Sequence, residues 1–208
     1  MSNPAATQGA MSHRPVVITG PPRVGKSIAA DRVARALGFI VMAADELRLS
    51  FWGLADRDER QAKRRSVYDD AIYGSDGRVV VEGWDLMLHD MLEKSLRFEL
   101  GAFDGGRVDL RHAVDLRTRF GARVFAFGAA LDDAGTRIAA MRRHAQSGYS
   151  WIAGLSDAEI LPIAEQSRTM SLSLRDAART ADVPYFECRS ASFENDMDRA
   201  VAAILATA

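Results

Sequence analysis

The run Gly20-Pro21-Pro22-Arg23-Val24-Gly25-Lys26-Ser27 constrains this chain more than any other feature. It fits the spacing G-x-x-x-x-G-K-[ST], the signature of a phosphate-binding loop. The spacing has a chemical reason. Such a loop wraps a polyphosphate with its backbone N–H groups, and glycines let that backbone come close. A helix beginning at Lys26-Ser27-Ile28 points its positive end at the same anion. Lys26 reaches phosphate oxygens as a mobile charge, and the Ser27 hydroxyl suits a magnesium ion. The flanks agree. Upstream, Pro15-Val16-Val17-Ile18-Thr19 is a β-branched run suited to a buried parallel strand. Downstream, Ile28, Ala29, Val33, Ala36 and Leu37 recur at helical spacing until Gly38.

Arg23 stands where such loops often carry glycine. An unusual backbone angle there would cost strain, and its side chain either meets a phosphate or substrate or points to solvent.

Apolar runs then alternate with helical stretches, the pattern of a parallel α/β sheet. The expected strands are Pro15-Val16-Val17-Ile18-Thr19, Phe39-Ile40-Val41-Met42-Ala43, Val79-Val80-Val81, Val124-Phe125-Ala126-Phe127 and a last one over 183–186. Helices are expected over 56–73, from Trp84, through Phe120, over 132–145 and after Asn195. Gly105-Gly106 reads as a break. Ser156-Asp157-Ala158-Glu159 reads as a capping box opening a further helix. The expected fold is a three-layer sandwich, an approximately five-stranded parallel sheet with helices on both faces.

Composition sets the outer limits. The chain has 208 residues, 48% of them hydrophobic, enough for one domain over 14–208. Residues 1–13 are small and polar and read as a disordered tail; Met11 is an alternative start. A formal charge of −1, from 27 basic and 28 acidic residues, lacks the basic footprint of a nucleic-acid binder. No apolar run spans a membrane. The lone cysteine, Cys188, fits a cytoplasmic protein.

Ligands of open parallel sheets bind at the carboxyl ends of the strands. Three candidates stand there: the loop after the first run, Asp45 after the second and Glu82 after the third. Glu82 could hold a water of the magnesium shell, or be a surface acid. Asp45 could accept a hydrogen bond from an acceptor hydroxyl, or cap a helix that starts at Glu46. Arg48 lies one turn on and could bind an anionic substrate group. Asp85 is a second base candidate. His89 is more simply structural. Arg57, Arg60, Lys63, Arg64 and Arg65 are either an acceptor-binding cap or a solvated helix face. Arg137, Arg142 and Arg143 follow the fourth strand within 132–157, where a lid would close over a transferring phosphoryl group.

The loop, Asp45 and Val81-Glu82-Gly83 together resemble the P-loop small-molecule kinases, a group that includes adenylate kinase, shikimate kinase and chloramphenicol phosphotransferase. The resemblance implies ATP and Mg²⁺, with transfer of the γ-phosphoryl group to a small hydroxyl or phosphate acceptor. It implies that Gly20 to Ile28 bind the nucleotide and that Ser27 and Glu82 serve the metal. Lys26, Asp45, Arg137 and Arg142 would be the catalytic groups. The base would adjoin Arg189 or Phe193. The glycine-rich third-strand ending of shikimate kinases is absent after Val81, which argues against that acceptor. Two other readings are a nucleotide-dependent switch and a toxin-like kinase of a sugar nucleotide. The expected partner is a small acceptor, without nucleic acid or membrane, and a homodimer is allowed.

Overall fold

The computed structural model describes residues 14–43, 102–105, 110–146 and 152–207. Five strands form one sheet: β1 (Val16–Thr19), β2 (Val41–Ala43), β3 (Ala102–Gly105), β4 (Arg123–Gly128) and β5 (Tyr185–Glu187). All pairings are parallel, and the order is β2-β3-β1-β4-β5. Five helices accompany them among the described residues: α1 (Lys26–Leu37), α2 (Leu110–Phe120), α3 (Ala134–Gln146), α4 (Asp157–Thr180) and α5 (Phe193–Leu205).

The strand alternation sorts the core onto two faces. Val16 and Ile18 of β1, with Phe125 and Phe127 of β4, face one cluster. Ala29, Ala30 and Val33 of α1 and Met197, Ala200 and Ile204 of α5 fill that side. Val17, Val124 and Ala126 face the other, against Ala113 and Leu116 of α2 and Ala178 of α4. The expected three-layer sandwich is the fold observed. A smaller cluster of Met141, Ile152, Ile160 and Ala164 packs α3 on α4.

Local signals set several boundaries. Gly38 ends α1 in the left-handed region at φ 73°, returning its N–H to the Ala34 carbonyl. Ser156 and Glu159 form a reciprocal capping box at the start of α4. Asp133 Oδ1 accepts the Thr136 N–H at 2.8 Å and so caps α3. Among the described residues no helix is long and apolar enough to cross a membrane.

One element departs from expectation. The segment read as a break at Gly105-Gly106 is preceded by β3, which lies between β1 and β2. Ala-Phe-Asp-Gly is a weak strand by propensity, but pairing on both edges satisfies its backbone. The strand beside β1 therefore ends at a glycine, Gly105, so the absence of glycine after Val81 no longer argues against a shikimate-type acceptor. Val79-Val80-Val81, the tail over 1–13 and the helical stretches over 56–73 and from Trp84 lie outside the described residues.

Candidate functional site

The loop leaves β1 at Gly20 and enters α1 at Lys26. A Cβ at Gly20 would lie 2.2 Å from the Phe127 carbonyl oxygen, so only glycine fits against β4. Gly25 takes φ 91° at the N-cap of α1, and a Cβ there would press on Met197 and Phe193. Arg23 is left-handed too, at φ 67°, without glycine's freedom.

Three consecutive carbonyls of the loop are taken by side chains. Lys26 Nζ donates to Pro21 O at 2.9 Å. Ser167 Oγ, from α4, donates to Pro22 O at 3.1 Å. Arg137 Nη2, from α3, donates to Arg23 O. Each of these bonds fixes a peptide of the loop, and with it the direction of the N–H groups that follow from Val24 into the helix. Ser27 is exposed at the mouth of the helix. The residue types fit a magnesium-bound polyphosphate: a glycine-flanked loop, a lysine, a hydroxyl and a helix N-terminus follow one another after β1.

The support runs deeper. Ser171 Oγ donates to Ser167 O at 2.7 Å and accepts the Ala129 N–H at 3.0 Å. Both serines are buried. The Arg137 guanidinium is 5% exposed and 3.8 Å from Asp132 Oδ2. Burial lowers its pKa, opposed chiefly by the Asp132 charge. Asp132 also accepts the N–H and hydroxyl of Ser190, just past β5. Beyond Ser190, buried Asp196 accepts two side-chain bonds from Arg189, at 3.0 and 2.9 Å, and one from Ser192 at 2.8 Å. Those bonds, led by Arg189, hold its carboxyl far below the usual aspartate range.

Among solved structures, shikimate kinase from Bacteroides thetaiotaomicron superposes with a TM-score of 0.52. It is 14% identical, and the match covers 92% of this chain and 98% of that one. The parallel α/β fold is shared with that enzyme. A dephospho-CoA kinase from Campylobacter jejuni gives a TM-score of 0.47 at 11% identity, over 91% of this chain and 96% of that one. Neither a family model nor a curated relative matches the sequence.

The loop residues Gly20 through Ile28 run from the end of β1 into the first turn of α1. The Arg137 guanidinium is buried, with Nη2 donating to the Arg23 carbonyl and Nη1 near Asp132. Arg142 pairs with Asp157 at 2.8 Å, bridging α3 to the start of α4. Arg189 is engaged by Asp196, and the Phe193 ring backs Gly25. Asp45, Arg48, Arg57, Arg60, Lys63, Arg64, Arg65, Glu82, Asp85, His89 and the loop from Tyr149 to Trp151 lie outside the described residues.

Sequence reading missed two sets of residues. Asp104 stands in register with Ile18, and Gly105 with Thr19, so an acid ends the strand next to β1. The signal was Phe103-Asp104-Gly105-Gly106, an apolar step, an acid and two glycines. Ser167 and Ser171, spaced four apart on α4, carried no local mark of their role.

Proposed function

We propose that this chain is an ATP-dependent phosphotransferase that moves the γ-phosphoryl group to a hydroxyl or phosphate of a small molecule. The observation that carries the reading is the loop from Gly20 to Ser27, whose Pro21, Pro22 and Arg23 carbonyls are each tied back by a side chain.

Mg²⁺, when bound, would supply neutralisation of the charge on the transferring phosphates. The Ser27 hydroxyl is its first protein ligand in this reading. Glu82, by its place after an apolar run, is the acid assigned to its water shell, and Asp104 is a second candidate by its backbone register beside β1 alone. Lys26 leaves the Pro21 carbonyl and turns to the β- and γ-phosphate oxygens. Asp45 accepts the acceptor's hydrogen bond and aligns it for in-line attack. Arg142 is the arginine assigned to the transferring phosphoryl group in this reading, and its partly exposed ion pair with Asp157 is one that a bound anion can compete with. The loop after β5, ordered by Asp196, is the place for the base. Most of the rate enhancement then comes from positioning and charge neutralisation. Cytoplasmic action is part of this reading, because the donor is ATP and Cys188 is a free thiol.

The test is ADP release from Mg²⁺–ATP across a panel of sugars, nucleosides, nucleoside monophosphates, hydroxy acids including shikimate, and aminoglycoside or phenicol antibiotics. An acceptor that raises turnover at least tenfold, and does so no longer in Asp45→Asn with ATP binding intact, establishes the activity. Turnover blind to every acceptor and to Asp45→Asn contradicts it.

A further inference from the structure

We infer that Arg137 is a positioning residue that clamps the phosphate loop in its strained conformation, so that α3 sets how well the loop binds; the inference rests on the reading of that loop as a nucleotide-phosphate site. Four observations lead there. Arg23 holds φ 67° although it is not glycine. Leaving the left-handed region relieves a non-glycine residue, at the cost of moving its carbonyl. That carbonyl is the one Arg137 holds. Arg137 is buried, and its Nε has no hydrogen-bond partner among the described residues.

A buried guanidinium with one idle donor is a costly arrangement unless its other bonds carry a role. Here the remaining donors point two ways. Nη2 reaches the strained peptide, and Nη1 faces Asp132, itself fixed by Ser190 after β5. The clamp therefore spans the loop after β1, the start of α3 and the loop after β5. A lid arginine would behave differently. It would be exposed when no anion is bound, and its contribution would not depend on the residue at position 23.

Position 23 supplies the discriminating experiment. Glycine adopts the left-handed region without strain, so Arg23→Gly does part of the clamp's task. Amide hydrogen exchange of Val24, Gly25 and Lys26 is measured without nucleotide in the full chain, for wild type, Arg137→Gln, Arg23→Gly and the double variant. Mg²⁺–ATP affinity is titrated on the same four proteins. In the Arg23 background, Arg137→Gln is expected to speed exchange and weaken ATP binding by about tenfold, the value of one charge-assisted hydrogen bond. In the Arg23→Gly background both effects should shrink to about threefold or less, because contacting sites couple.

Equal effects in the two backgrounds overturn the clamp, since Arg137 would then act independently of Arg23. If Arg137→Gln fails to fold, Arg137→Lys takes its place in the same cycle, keeping the charge but losing the fork. Exchange and binding separate the two claims. A wild-type chain that binds no ATP removes the nucleotide reading, and the exchange cycle still decides the clamp.

Discussion

Ser167 gives its hydroxyl to the carbonyl of Pro22, 3.1 Å away and 145 residues earlier in the chain. A side chain in the middle of the 24-residue helix α4 thereby fixes the middle of the phosphate loop. Ser171 braces Ser167 from one turn below and receives the Ala129 N–H at the end of β4. The loop's shape is thus a tertiary property, held from α1, α3 and α4 together.

Ser167→Ala should cost about 1 kcal/mol of stability, the net value of a buried neutral hydrogen bond, since the Pro22 carbonyl loses its donor. It should also weaken Mg²⁺–ATP binding severalfold. Urea unfolding and an ATP titration on the same protein check both. A surface serine such as Ser190's neighbour Ser192 makes a poor control because it bonds Asp196; Thr169 on the exposed side of α4 is the better one.

Lys26→Met should lower phosphoryl transfer by at least about 100-fold, the scale of losing a charge that stabilises the transition state. Folding should survive, because methionine keeps most of the buried stem while the Pro21 carbonyl loses its Nζ donor. Circular dichroism alongside single-turnover kinetics separates the two effects.

The glycines should rank by what surrounds them. Gly20→Ala places a Cβ 2.2 Å from backbone oxygen, and neither β1 nor β4 can yield. It should cost several kcal/mol or prevent folding. Gly38→Ala meets nothing within 4 Å and carries only the penalty of φ 73°, about 1 kcal/mol. Thermal melts of the two variants test the order.

Much of this was legible in the sequence, for local reasons. The apolar runs of β1 and β4, Gly38 at the end of α1 and the Ser156–Glu159 box all depend on neighbours in the chain. The loop was legible because its chemistry demands fixed residues at fixed spacing. What was not legible depends on partners far away. β3 is short and holds Asp104 and Gly105, and becomes a strand because β1 and β2 flank it. Arg137 read as a basic residue after β4, but the direction of its side chain is decided by the loop and Asp132. Ser167 looked like any polar helix residue.

Acid should unfold the protein partly through Asp196. Its folded pKa is depressed, chiefly by the Arg189 hydrogen bond, so its contribution is present above the ordinary aspartate pKa. It is lost as pH falls below that range, when the carboxyl protonates. Asp196→Asn should lower stability at pH 7 and flatten its decline between about pH 4 and pH 2. Urea midpoints across that window give the comparison.

Cys188 should be inert in the folded protein. Burial pushes its thiol up to about 12, with the Asp196 and Glu187 charges adding to the effect. Ellman's reagent at pH 8 should react slowly without denaturant and rapidly in urea. Fast reaction of the native protein would place the thiol in a different environment.

The most direct test of the central claim follows phosphorus itself. Mg²⁺–ATP is incubated with the protein and the acceptor that most raises ADP release, and the products are resolved by ³¹P NMR. The account predicts ADP and one new phosphorylated-acceptor resonance in equal amounts, both abolished by Lys26→Met. Inorganic phosphate alone, formed at the same rate with or without acceptor, would contradict it.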